Sequence, residues 1–135
     1  MADRSYQDWP FFDDGHRALV AELERWSADA LPGLLGPSGH GGASADDTVV
    51  LLVRELGRAG LLRACVPAAY GGLRDEVDVR SLALARETLA RGAGLADFAL
   101  AMQGLGSAPV SLFGNEAQKA ALLPGVYRGE LIPAF

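Results

Sequence analysis

Few residues in this chain could do chemistry, and they are scattered. Gly104-Leu105-Gly106-Ser107-Ala108-Pro109 imitates the opening of a dinucleotide fingerprint, in which glycines let a pyrophosphate approach the first turn of a helix. Its third glycine is missing and it follows helical rather than strand periodicity, so it reads as glycines that permit close helix packing. His16 and His40 flank a glycine-rich stretch and have no cysteine or carboxylate at metal-ligand spacing; both read as surface histidines, with no metal site. Cys65 sits among apolar neighbours in Arg63-Ala64-Cys65-Val66 and reads as a small buried hydrophobe. A thiolate nucleophile would need basic company and a partner histidine. Asp13-Asp14 stands at the start of a helical pattern and reads as capping. No Ser/His/Asp or Cys/His set emerges, so no catalytic residue is assigned.

Composition bounds the remaining readings. In 135 residues there are 12 Lys+Arg against 17 Asp+Glu, a net charge of -5, with half the chain hydrophobic. Such a chain buries a core as one domain and is not disordered. Its acidity argues against a nucleic-acid binder, which needs a basic face. A single cysteine excludes an intrachain disulfide and suits a reducing compartment. The first residues lack a basic stretch followed by an apolar one, and no apolar run approaches the ~20 residues of a membrane span. The expectation is a cytoplasmic protein without membrane partners.

The elements that must position any site are helical. Ala and Leu supply 44 residues and Val, Ile and Thr together 12, a balance that favours helix over strand. Periodicity predicts an all-α bundle of about five helices. The first runs from Phe11 to about Leu31, with Leu19, Leu23, Trp26 and Ala30 on one stripe. A second runs from Asp46 to Gly60, with Val49, Leu52, Val53 and Leu56 inward. A third is capped by Asp78, reaches Arg91 and carries Val79, Leu82, Ala85 and Leu89. A fourth, from about Leu95 to Phe113, is apolar nearly all round and reads as the central, most buried helix, kinked or shortened by Pro109. A fifth starts at Asn115, where Gln118 completes a capping box, and reaches about Val126. Residues 32–45 hold five glycines and two prolines and read as a flexible surface loop. Glu130-Leu131-Ile132-Pro133-Ala134-Phe135 is apolar and extended in character, like a strand begun and not completed.

A series of short segments then falls in a telling order. Leu56-Gly57-Arg58-Ala59-Gly60-Leu61-Leu62 leads to Val66-Pro67-Ala68-Ala69-Tyr70-Gly71-Gly72-Leu73. Arg86-Glu87-Thr88-Leu89-Ala90 follows, then Phe113-Gly114-Asn115-Glu116-Ala117-Gln118-Lys119, and last Leu123-Pro124-Gly125 through Gly129-Glu130. From about Trp9 to Phe135 the chain resembles the N-terminal helical domain of the acyl-CoA dehydrogenase superfamily of flavoproteins. It departs from the usual pattern at Ala68-Ala69, where an acidic pair is common, at Arg74-Asp75-Glu76, and in the length of the 32–45 loop.

The resemblance implies residues 1–129 as that domain and 130–135 as the start of a β-domain, which a C-terminal four-helix bundle would follow. The parent it implies is an FAD-dependent α,β-desaturase of an acyl thioester, carried on CoA or a carrier protein. In such enzymes a glutamate of the C-terminal part takes the α-proton and the β-hydrogen leaves as hydride to the flavin. Those parts are absent here, so the expectation is a chain that is inactive and holds no FAD by itself. A homotetrameric or homodimeric parent is implied, and self-association of the isolated piece is expected. Matched through Gly114-Asn115, the family's acyl-pocket positions fall at Phe98, Ala101, Met102 and Leu105, one face of the fourth helix; ordinary core would show the same stripe. Phe98 and Met102 are bulky, which implies a short or compact acyl group. Phe135 matches a position whose aromatic side chain often touches the flavin. Two alternatives share the same residues: the equivalent domain of a related flavin oxidase or monooxygenase, and a free-standing helical interaction module.

Overall fold

The computed structural model describes residues 3–37 and 44–134. Five α-helices carry the fold: α1 (Asp14–Leu35), α2 (Ala45–Arg58), α3 (Val79–Gly92), α4 (Gly94–Phe113) and α5 (Glu116–Tyr127). Short 3-10 turns lie at Ser5–Asp8, Leu61–Cys65 and Ala68–Tyr70, and no strand forms among the described residues. The all-α expectation is met.

Local chemistry sets the helix starts. Asp13, Ser44, Asp78 and Asn115 each accept a backbone N–H of the first turn that follows them, satisfying donors that have no intrahelical partner. At α5 the box is reciprocal: Asn115 Oδ1 accepts from the Gln118 amide at 2.9 Å and Gln118 Oε1 from the Asn115 amide at 2.9 Å. Asn115→Ala is expected to lower stability by about 1 kcal/mol, read as a shift of the urea midpoint with an unchanged slope.

The helix ends depart from sequence expectation where burial overrides local signals. Helix α1 continues through Pro32 and Gly33 because Leu31 and Leu35, one turn apart, are both buried. Residues 32–35 of the expected loop are therefore helix, while residues 38–43, His40 included, lie outside the described residues. Helix α4 likewise runs through Pro109 to Phe113. Pro109 sits on the exposed side, where the carbonyl it leaves unbonded is least costly.

The core joins Leu19 and Leu23 of α1, Leu52 and Leu56 of α2, Leu61 and Leu62 of the turn after it, Leu89 of α3, Leu100 of α4 and Leu123 of α5. Cys65 belongs to this core, and burial pushes its thiol up to about 12, as expected of an inert buried thiol. Helix α4 touches α2, α3, α5 and the Leu61–Cys65 turn, so it is central. It is not buried all round. Apart from Leu100, its inward side is small or polar, with Ala96, Ala99, Gln103, Gly104, Ser107 and Ser111 buried, while Phe98, Leu105, Leu112 and Phe113 are exposed. Gln103 Nε2 donates to the carbonyls of Val126 and Leu131, both at 3.0 Å, and so ties the chain after α5 to the central helix. Pro133 then crosses Gly106, where an added Cβ would come within 2.8 Å of the ring. Gly104 is less crowded: an added Cβ there would make only ordinary contacts with Leu82 and Cys65, so of the two glycines Gly106 is the one that permits close approach.

Candidate functional site

Helix α4 turns large apolar side chains outward because its small ones are needed inward, where α2, α3 and α5 approach closely. Phe98 and Leu105 are about half exposed, at 50% and 52%, and Ala101 and Met102 are partly buried. All four residues singled out from sequence thus share one outward face, and none is in the core. Between this face and α3 runs an apolar groove of about 500 Å³, lined by Val79, Leu82, Ala101, Leu105 and Leu112 among others, within the size range of small-molecule sites. Ala101 and Leu105 line the groove, whereas Phe98 and Met102 do not. Phe135 lies outside the described residues.

The α3 side of the groove was missed in the sequence. Val79 fits an inward stripe with Leu82, Ala85 and Leu89, yet it is 73% exposed. The inward stripe of α3 is instead Ser81, Leu84, Ala85, Thr88 and Leu89. Polar Ser81 and Thr88 hide it from a hydrophobicity count; Thr88 is accommodated by donating to the Leu84 carbonyl at 2.7 Å. One charged residue, Arg86, lines the groove. Its Nε and Nη2 donate to the two carboxylate oxygens of Asp97 at 2.8 and 3.1 Å, and that pairing holds the guanidinium pKa above its usual value.

A second cluster of titratable groups lies where α1 and α3 begin. His16, expected on the surface, is completely buried. Its Nε2 meets Asp78 Oδ2 at 2.7 Å, and its Nδ1 accepts the Asp13 backbone N–H at 3.0 Å. Arg74 pairs with both carboxylate oxygens of Asp13 at 2.9 and 2.7 Å. That contact, followed by the His16 backbone N–H, holds the Asp13 carboxyl well below the usual range. Burial alone would raise Asp78, but hydrogen bonds from Arg80, His16 and Ser81 outweigh it and hold its carboxyl low as well. Each side chain here is engaged by another, so the cluster clasps α1 to the start of α3 and offers no free base or nucleophile. A buried histidine paired 62 residues away has no signature in a single sequence.

The Gly104/Gly106 pair does not fit the pyrophosphate of a flavin dinucleotide. Gly104 and Gly106 lie in mid-helix, where backbone amides are committed to helical bonds, and Gly106 is covered by Pro133, so no cradle for a pyrophosphate exists there. Among the described residues no group of three or more His, Cys, Asp or Glu is placed to hold a metal, and no helix is long and apolar enough to cross a membrane.

Comparison with known proteins gives this arrangement a family. Residues 14–130 match the family model described as acyl-CoA dehydrogenase, N-terminal domain. The chain is 35% identical over 125 residues to a probable acyl-CoA dehydrogenase of Bacillus subtilis (strain 168), a match covering 92% of this chain and 20% of that protein. It is 32% identical over 91 residues to an acyl-CoA dehydrogenase of the same organism, covering 67% of this chain and 24% of that protein. The chain thus spans about a quarter or less of the length of these relatives. A family-model match over residues 14–130 and a relative 35% identical along 92% of the chain agree with the five-helix fold: this chain belongs to the acyl-CoA dehydrogenase family and carries its N-terminal domain.

Proposed function

We propose that this domain walls the acyl-chain site of an FAD-dependent acyl thioester dehydrogenase, in which Phe98, Ala101, Met102 and Leu105 meet the substrate tail. The outward placement of these side chains carries the reading. Large apolar groups on a central helix are turned away from the core, beside a groove, while small and polar groups pack inside. An exposed apolar face of this kind marks a surface that binds or is covered. The domain's contribution is positional: it excludes water from the tail and orients the thioester, so that reacting groups supplied elsewhere in the protein meet it in line. In this proposal the flavin is held beyond the described residues, and Phe135 is the residue of this chain that contacts it. The chain from Glu130 leads into a β-domain, the thioester is carried on CoA or a carrier protein, and the whole protein is an oligomer.

Phe98 sets the depth available to the tail, which favours a short or compact acyl group. In the protein at its native length, Phe98→Ala is expected to raise kcat/KM for an acyl-CoA two methylenes longer than the preferred one by about tenfold relative to the preferred one, given about 0.8 kcal/mol per buried methylene. An unchanged chain-length profile would remove Phe98 from the pocket.

A further inference from the structure

The groove between α3 and α4 is apolar along its length except at one end. Because α3 and α4 run in opposite directions, Val79 at the start of α3 lies near Leu112 at the end of α4, and Arg86 lies beside Asp97, one residue before Phe98. Arg86 contributes the groove's one charged lining residue, and that charge is matched in place: the guanidinium fork meets both Asp97 oxygens, with 2.8 Å at the closer one. Asp97 is itself favoured in the first turn of α4, where the helix dipole stabilises a carboxylate.

A guanidinium at the end of an apolar channel would ordinarily receive a carboxylate, through the same two-point contact it makes here with Asp97. Asp97 already occupies that fork, and being tethered on the facing helix it outcompetes a dissolved carboxylate. A ligand whose tail ended in a carboxylate would find the half-exposed guanidinium fork already filled and would meet the largely buried Asp97 carboxylate beside it, a like charge that repels it.

We infer that Asp97 masks Arg86 and thereby restricts the site to thioesters with uncharged acyl tails, excluding those ending in a carboxylate. This rests on the groove belonging to the acyl site proposed above. Asp97 acts through Arg86, so it is a positioning residue for specificity and not a catalytic one.

The test uses the protein at its native length with hexanoyl-CoA and adipoyl-CoA, which share a chain and differ by a terminal carboxylate. The unsubstituted protein is expected to favour hexanoyl-CoA by about tenfold or more in kcat/KM. Asp97→Asn should narrow that ratio about tenfold, by lowering KM for adipoyl-CoA with kcat for hexanoyl-CoA little changed. Adding Arg86→Gln should abolish the gain, and Asp97→Glu should restore the original preference. An equal change on both thioesters in Asp97→Asn, or a gain that survives Arg86→Gln, overturns the inference and leaves the acyl-site reading standing. Failure of the unsubstituted protein to turn over or bind either thioester overturns that reading, and the inference with it.

Discussion

Replacing Gly72 by alanine is expected to unfold this domain or leave it barely folded. Gly71 has φ +105, and the chain turns back on itself so that an added Cβ on Gly72 would lie 1.7 Å from the Val66 carbonyl oxygen. That oxygen is backbone, so no side-chain rotation relieves the overlap. The turn is also bonded from several directions. Gly72 N–H donates to Pro67 O at 3.0 Å, Leu73 N–H to Arg63 O at 3.1 Å, and Arg63 Nε to Gly71 O at 2.8 Å. Shifting it would break these bonds and lift Tyr127 from Gly71, where an added Cβ would sit 2.2 Å from the ring. A cost of about 4 kcal/mol or more is expected, a large share of a small domain's stability. Circular dichroism and urea titration of Gly72→Ala against Leu73→Ala, at a half-exposed neighbour, would measure it. A native-like midpoint for Gly72→Ala would show that the turn is softer than its geometry implies.

The second large effect is expected at the clasp between α1 and α3. Asp78→Ala removes the N-cap of α3 and strips a completely buried imidazole of its Nε2 partner. Losing a cap costs about 1 kcal/mol, and an orphaned buried donor costs about 1–3 kcal/mol more, so roughly 2–4 kcal/mol is expected from denaturant unfolding. Asp78→Asn keeps an acceptor for the cap and should recover part of this loss. The same carboxylates govern the acid limb. Asp13 and Asp78 are both held below their ordinary pKa in the fold. Their contribution is therefore complete above the unfolded-state value near 3.9 and is lost as pH falls below it toward the folded values. Stability should drop below about pH 4, and Asp78→Ala should flatten that drop. An acid limb of equal steepness in the variant would move the linkage to other groups.

These two positions differ in how visible they are in the chain. Gly71-Gly72 stands out in the chain as part of the Val66–Leu73 family motif, and the structure shows why: glycine tolerates the positive φ and close backbone approach of this turn. His16 announces nothing: its partner is distant in sequence, and a lone histidine beside Asp13-Asp14 reads as solvent-facing. The caps at Asp78 and Asn115 and the capping role of Asp13 were legible because capping chemistry acts over three or four residues, although α1 starts at Asp14 and not at the expected Phe11. Phe98, Ala101, Met102 and Leu105 were likewise legible as one face.

Composition and local periodicity determined an all-helical domain, capping chemistry located the caps at Asp13, Asp78 and Asn115, and an ordered run of short motifs carried the resemblance to its family. The folded chain decided what a one-dimensional pattern does not carry: which way each apolar stripe faces. On α4 nearly every direction is apolar, so the choice fell to packing distance, with alanine, glycine and serine turned inward where helices approach closely and Phe98 and Leu105 left outward. On α3 the inward stripe includes Ser81 and Thr88, whose hydroxyls are satisfied locally by Asp78 and the Leu84 carbonyl, so the packing of neighbouring helices could turn this polar-marked face inward. The ends of α1 and the pairing of Arg86 with Asp97 were settled in the same way, because burial and contacts between helices outweigh the weak preferences that a residue expresses by itself.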